Sequence, residues 1–277
     1  MAKVGHFRVL ALAGLLALAV VLVAVSPAGA LIGGEPDAEE HPYVGMVGFY
    51  DEAGEPTYGC SGTLLSPTVF LTSGHCTTGM TRAQVWFDSQ FDLDSQAERA
   101  AGFPSSGGAA GTPYTHPDFA GGSDVLDSFP NTYDVGVIVL DQPVSIGTYG
   151  AIPEPGFLDA LASQPGQEQQ SFTVVGYGLQ GTHPGLLGEF QPERQKATTE
   201  LTDLRAALAD GYNLLTPNNA AGWGSCYGDS GGPILLSGTS TVVAVTSFGL
   251  DPNCTGTNGG YRTDIVDSQD FVRGFLG

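Results

Sequence analysis

The stretch Gly224-Ser225-Cys226-Tyr227-Gly228-Asp229-Ser230-Gly231-Gly232-Pro233 decides how the rest of the chain is read. Four of its ten residues are glycine, and Ser230 sits among them directly behind an acid. Glycine permits positive φ and close backbone approach, so such a run can turn sharply and converge its amides on one point. A serine there suits a nucleophile facing an oxyanion hole, provided a base lies nearby. A Gly/Ser-rich surface turn has the same composition, so the rest of the chain must supply the base.

Residues 1–30 differ in character from the remainder of the chain. Lys3, His6 and Arg8 precede an almost wholly apolar run from Val9 to Val25, and Ser26-Pro27-Ala28-Gly29-Ala30 ends it with small residues. This is the pattern of a secretory signal peptide, with cleavage expected after Ala30. A retained membrane anchor is the competing reading, because the run approaches spanning length. None of the 29 acidic residues lies before position 31, whereas two of the nine Lys/Arg do, so the expected mature chain carries about −22. Such a surface repels phosphate backbones and anionic lipid, which excludes nucleic acid and, after signal removal, membranes as expected partners. Four cysteines are an even set for a secreted chain; two disulfides are expected, in any of three pairings.

The mature chain reads as mostly β. Runs such as His41–Tyr50, Tyr58–Leu65, Val69–Thr72, Val85–Phe87, Val135–Leu140, Phe172–Gly178, Pro233–Leu236 and Thr241–Phe248 are β-branched or aromatic and punctuated by Gly and Pro. Leu201, Leu204 and Leu208 have helical spacing in a short segment. Asp267–Leu276 reads as an amphipathic helix with Val266, Phe271, Val272 and Phe275 inward. Asp88, Asp92, Asp94 and Glu98 lack the spacing of a calcium loop and read as a solvated acidic loop. The Pro-rich stretch Pro143–Pro155 is the best internal boundary.

Four histidines lie beyond the leader. His41, His116 and His183 each precede proline and read as turn or packing residues. His75 differs: Thr72-Ser73-Gly74-His75-Cys76 places it at the end of an apolar strand beside a cysteine. It is the candidate base for Ser230. Asp124, Asp127 and Asp134 compete as its orienting acid; Asp134 alone leads directly into an apolar strand.

Together, Leu31-Ile32-Gly33-Gly34, the His75 segment, Tyr133-Asp134-Val135 and Gly228–Pro233 resemble the trypsin/chymotrypsin-like serine peptidases, over essentially all of 31–277. The order His75, Asp134, Ser230 separates the chain from subtilisins and from α/β-hydrolase esterases. The resemblance implies an all-β fold of two six-stranded antiparallel barrels, the site in the cleft between them, and a short C-terminal helix. The halves would be 31–150, carrying His75 and Asp134, and 151–277, carrying Ser230 and the specificity pocket. By the same resemblance Ser230 is the nucleophile, His75 the general base and then acid, and Asp134 the carboxylate that fixes the imidazole tautomer. The amides of Gly228 and Ser230 would form the oxyanion hole. Cys60 would pair with Cys76 and Cys226 with Cys254. Asp229 would form an ion pair with a freed N-terminal amine, here that of Leu31. Gly224, six residues before the nucleophile, would lie at the pocket floor with Ser225, Ser247, Phe248, Gly249 and Gly259 around it. Phe248 stands where the family usually has tryptophan, and Asp251 and Asp264 are near enough in sequence to intrude. A floor without an acid implies cleavage after apolar or aromatic residues rather than Arg or Lys. No metal or other cofactor is expected. Protein or peptide substrates and proteinaceous inhibitors are the implied partners of a secreted, extracellular monomer; a catalytically silent, binding homologue is the alternative.

Overall fold

The computed structural model describes residues 31, 34–120, 128–164, 170–179, 182–183, 186–187, 192–218 and 224–277. After the two-residue strand β1 (Glu35–Pro36), the first half is built from β2 (Val44–Tyr50), β3 (Pro56–Ser66), β4 (Val69–Thr72), β5 (Arg82–Trp86), β6 (Ala109–Thr115) and β7 (Gly136–Leu140). These six strands close into an antiparallel barrel in the order β2-β3-β4-β7-β6-β5. Two short helices interrupt them, α1 (Gly74–Thr77) between β4 and β5 and α2 (Gln96–Ala101) between β5 and β6. Val47, Phe49, Leu64, Phe70, Val85 and Ile138 fill the barrel. Each such side chain, fully buried, contributes roughly 1.5–3 kcal/mol.

The second half begins with α3 (Phe157–Ala162) and contains β8 (Ser171–Gly176), β9 (Thr182–His183), β10 (Leu186–Leu187), β11 (Gln195–Glu200), β12 (Asn213–Asn218), β13 (Pro233–Leu236), β14 (Val242–Gly249) and β15 (Gly256–Arg262). Apart from the small β9–β10 hairpin, these form one curled sheet in the order β1-β11-β8-β13-β14-β15-β12. Its six long strands match the expected number, but the ladder does not close all round. Among the described residues, Thr202 and Asp203, beyond the end of β11, reach across to Leu215 in β12. The helical spacing at 201–209 gives turns instead, because the Asp203 carboxylate takes the amides of Arg205 and Ala206 at 2.6 and 3.1 Å. Leu31, Leu158, Phe172, Val174, Leu214 and Ile234 pack inside this sheet.

The two halves hold each other's ends. β1 pairs with β11 of the second sheet, Glu35 opposite Lys196. The C-terminal helix α4 (Val266–Leu276) returns to the first barrel, where Phe275 meets Tyr114 and Phe271 meets His116 at ring separations of 5.1 and 5.0 Å. Val272 is buried as expected, but Val266 points outward at 64% exposure, since Ile265 packs against the core in its place. The acidic loop also differs from expectation. Ser95 and Glu98 form a capping box that starts α2, a pattern readable as Ser-x-x-Glu. Glu98 further accepts from Ser105, and these hydrogen bonds, Ser105 first and Ser95 after it, hold its carboxyl down at about 2.

Candidate active site

β4 ends at Thr72, and the one-turn helix α1 begins two residues later, placing His75 on the rim of the barrel. Asp134 reaches the same rim from the chain entering β7; it is fully buried, and Tyr133 before it takes the left-handed conformation with φ 50°. The His75 amide donates to Asp134 Oδ1 at 2.7 Å, and His75 Nδ1 bonds Oδ2 at 2.8 Å. Ser247, from β14 of the other half, donates its hydroxyl to the same Oδ2 at 2.5 Å. An ionised carboxylate only accepts, so Nδ1 carries the proton and Nε2 keeps its lone pair for the cleft. Burial pulls the His75 pKa down, but the charge and hydrogen bond of Asp134 outweigh it and hold the imidazole above its ordinary 6.5. Asp124 and Asp127, the rival acids, lie outside the described residues.

The nucleophile loop is held by a set of single bonds. Two successive amides of the chain leaving β8 reach it, Gly178 N donating to Asp229 Oδ1 and Leu179 N to the Tyr227 carbonyl, both at 2.8 Å, while the preceding Tyr177 N donates to Ser61 Oγ of β3 at 3.0 Å. Ser61 N donates to the Ser230 carbonyl at 2.9 Å. Gly231 has φ +77°, and an added Cβ would stand 2.0 Å from Thr72 Oγ1, so only glycine fits there. The amides of Asp229, Gly231 and Gly232 bond the carbonyls of Cys226, Thr246 and Asp229. Among the described residues, those of Gly228 and Ser230 have no acceptor, which is the condition of donors kept for a ligand. Ser230 Oγ likewise makes no hydrogen bond among them, so the His75–Ser230 contact is not formed here. Catalytic bonds of this kind often tighten only with substrate bound.

Asp229 is fully buried and receives the amides of Cys226 and Gly178, both at 2.8 Å. No cation reaches it among the described residues, and burial pushes its carboxyl up to about 7, against the pull of those amides. Leu31, its expected partner, lies in the core of the second sheet. Ile32 and Gly33 are outside the described residues.

A cleft of about 730 Å³ runs between the halves. Tyr58, Cys60 and His75 form one side, and Ser225, Ser230, Ser247, Phe248, Gly249 and Asn258 the other. Gly224 and Gly259 do not line it. Gly259 stands opposite Phe248 in the β14–β15 register, with the space of its missing Cβ taken by the Phe248 ring. The residue that does reach the cleft from β15 is Asn258, paired with Gly249. Its amide donates to the carbonyl and hydroxyl of Ser225 at 2.9 and 2.8 Å. Its Oδ1 would lie 3.0 Å from any Cβ on Gly249. Where Asn258 meets Ser225 the cleft wall is therefore polar and uncharged. Asp264 is buried against Arg262 at 2.8 Å and does not line the cleft; Asp251 does line it and accepts the Asn253 amide. Asn258 carried no sequence signal, because its place depends on the register of two strands.

The disulfides are Cys60–Cys76 and Cys226–Cys254, with Cα separations of 6.5 and 5.2 Å. They buttress His75 and the pocket loop respectively, and each closed loop is worth about 3 kcal/mol if chain entropy dominates. The only His/Cys/Asp/Glu cluster close enough for a metal among the described residues is Cys60, His75 and Cys76, whose sulfurs are committed to that bridge. Among the described residues no helix is long and apolar enough to cross a membrane.

A family model described as Trypsin matches residues 31–272. Phenoloxidase-activating factor 1 of Holotrichia diomphalia is 25% identical over 270 residues, covering 88% of this chain and 69% of that protein. A trypsin of Saccharopolyspora erythraea is 26% identical over 230 residues, 79% of this chain and 86% of that one. Among solved structures, the HL collagenase superposes with a TM-score of 0.64 at 19% identity, over 90% of this chain and 96% of its own. A mutant of human heparin binding protein gives 0.60 at 18%, over 89% and 96%. Both structures speak for the fold.

Proposed function

The chain belongs to the trypsin family of serine proteases, and from that premise we propose that it is a secreted serine endopeptidase working through Ser230, His75 and Asp134. The single observation that carries this reading is the His75–Asp134 pair, bonded at 2.8 Å on the same cleft as Ser230. In the proposed reaction Ser230 Oγ attacks the scissile carbonyl while His75 Nε2 takes its proton. The amides of Gly228 and Ser230 receive the oxyanion; losing one such donor costs about 3 kcal/mol of barrier. His75 then protonates the leaving amine, and water reverses the sequence to release the acyl group. Asp134 stabilises the imidazolium throughout. The names of relatives such as phenoloxidase-activating factor 1 and beta-fibrinogenase mucrofibrase-3 point to proteins as targets, which supports a protein substrate here.

The uncharged wall where Asn258 meets Ser225 supports cleavage after apolar or aromatic residues, since an Arg or Lys side chain would lose water there without gaining a carboxylate. Phe248 and Leu250 add apolar wall. Signal removal after Ala30 would free the Leu31 amine for Asp229, a buried carboxyl in need of a cation. The N-terminal half 31–150 would then supply base and acid, and the half 151–277 nucleophile and pocket.

The test uses the secreted protein. A fluorophosphonate probe should label it and spare Ser230→Ala, and peptides ending in Phe or Leu before the reporter should outrun those ending in Ala or Arg. Absence of labelling would favour the silent, binding homologue, and fastest cleavage after Arg would overturn the pocket reading. N-terminal sequencing should begin at Leu31.

A further inference from the structure

Ser61 is fully buried in β3, outside the proposed triad and pocket, yet four hydrogen bonds tie it to the second half and to its own barrel. Its amide donates to the Ser230 carbonyl at 2.9 Å. Its hydroxyl donates to the Gly228 carbonyl at 2.9 Å and accepts the Tyr177 amide at 3.0 Å. Its own carbonyl accepts Thr72 Oγ1 at 2.9 Å. One residue of the first barrel thus grips the carbonyls on both sides of Asp229.

We propose that Ser61 is a positioning residue: its hydroxyl holds the Gly228–Asp229 peptide, the plane that follows the one bearing the Gly228 amide, and so fixes the turn at Gly228 that keeps this amide aimed at the oxyanion. The inference rests on the endopeptidase reading and deepens it. Gly228 has φ +97° and no Cβ, so nothing in its own side chain limits rotation of the flanking peptide planes. The plane before it, which carries the Gly228 amide, is set by Leu179 N on the Tyr227 carbonyl; the plane after it is held at its carbonyl by Ser61 Oγ and at its amide by the longer 3.1 Å bond from Asp229 N to the Cys226 carbonyl. A hydroxyl has one proton to give. The Tyr177 amide occupies an acceptor position on Ser61 Oγ and so directs that proton to Gly228. The close fit of Gly232, whose added Cβ would stand 3.1 Å from Ser61 Cβ, leaves the loop little room to settle otherwise. Without the hydroxyl, the Gly228 carbonyl and Tyr177 amide lose these partners, and rotation of the Gly228–Asp229 plane, which shifts the turn at Gly228 and with it the aim of the Gly228 amide, is the cheapest relief.

The experiment compares wild type, Ser61→Ala and Ser61→Gly, with rates divided by active sites titrated with a fluorophosphonate. Unfolded protein then does not count; both variants keep the backbone amide, and the alanine variant, which keeps Cβ, disturbs packing least. Both variants should lose about 10- to 100-fold in kcat, below the 10²–10³ of deleting a donor outright. KM should stay within about twofold, because a substrate binds through contacts that Ser61 does not touch. Affinity for a peptide boronate, whose anionic adduct fills the oxyanion hole, should fall by the same factor as kcat. Unchanged kcat per titrated site in either variant, or a loss confined to KM with boronate affinity intact, overturns the inference and leaves the endopeptidase reading standing. A wild type that neither labels nor cleaves sinks both.

Discussion

The two halves deliver their parts of the site by different means. In the first, six strands close into a barrel, and His75 and Asp134 stand where strands β4 and β7 meet its rim. They lie just outside the ladder, within three residues of the paired ends Thr72 and Gly136, so its register sets where they stand. In the second, the sheet curls without closing, and Ser230 sits on a loop between strands, fixed by individual bonds from Ser61, Gly178 and Leu179. That loop also contains a fully buried carboxyl, Asp229, with no cation beside it among the described residues. A ladder resists local change because its bonds are shared, whereas a loop held by single bonds can be reordered by losing one. The proposed base and acid are thus held mainly by the first barrel, with one bond from Ser247 of the other half, and the side of the proposed nucleophile is where activity should be gained or lost with little change in fold.

The largest effect should come from the barrel side, and it should be purely chemical. Asp134→Asn keeps the shape but puts an amide where Oδ2 now accepts from both His75 Nδ1 and Ser247 Oγ. The imidazole would be held in the wrong tautomer, and kcat on a peptide substrate should fall about 10⁴-fold. Circular dichroism should show an intact fold. A kcat within tenfold of wild type would mean that Asp134 does not orient the base.

A pair of glycines sharpens the contrast with a smaller effect, in stability. Gly54, in the β2–β3 turn, and Gly231, behind the nucleophile, have the same φ of +77°. Alanine in that conformation costs about 1–2 kcal/mol by itself. At Gly54 a Cβ meets nothing within 4 Å, so Gly54→Ala should cost only that. At Gly231 the Cβ would also stand 2.0 Å from Thr72 Oγ1 and 2.7 Å from the Ser61 carbonyl, both on the other half. Gly231→Ala should therefore cost about 3 kcal/mol or more, and activity should fall with it. Urea unfolding of both variants gives the comparison; equal losses would show that Thr72 and Ser61 do not clamp the loop.

How much of the molecule is legible in its sequence divides along the same line. The strands of the first barrel can be read directly, because Val69–Thr72 and Val135–Leu140 carry unbroken apolar runs that only a buried ladder accommodates. The glycine-rich loop announces itself by composition. What cannot be read depends on register or on contacts distant in sequence. Asn258, rather than Gly259, lines the cleft, and which of two adjacent residues does so depends on the β14–β15 register, since a one-residue offset exchanges the faces of a strand. Ser61 reads only as one residue of the strand run Tyr58–Leu65; its partners Gly228 and Tyr177 lie more than a hundred residues away. The capping box at Ser95–Glu98 is legible but outweighed by the acidic residues around it, while the leucine spacing at 201–208 suggests a helix that Asp203 turns aside.

The smallest effect, and the one that tests whether the loop's carboxyl is truly uncompensated, is a slope of stability against pH. In the full-length chain Asp229 ionises at about 7, whereas its ordinary value is 3.8. The folded state therefore holds a proton that the unfolded state has already released. Its contribution to stability is fully present below about pH 4 and is lost as pH rises through about 7. The depressed carboxyls, Asp37, Glu98, Asp141, Asp203 and Asp251, act in the opposite sense and at lower pH, as their protonation begins. His75, raised, adds to the loss above 6.5, and His116, lowered, offsets part of it. Asp229→Asn isolates the one group: the difference in melting temperature between variant and full-length parent should shift in the variant's favour between pH 4 and 7. In protein beginning at Leu31, a freed amine beside Asp229 would pull its pKa below the ordinary value, and the same difference should become independent of pH across that window. A full-length protein already flat from pH 4 to 7 would mean that Asp229 has a partner before any cut, and the contrast between a settled barrel and an unsettled loop would fail at that residue.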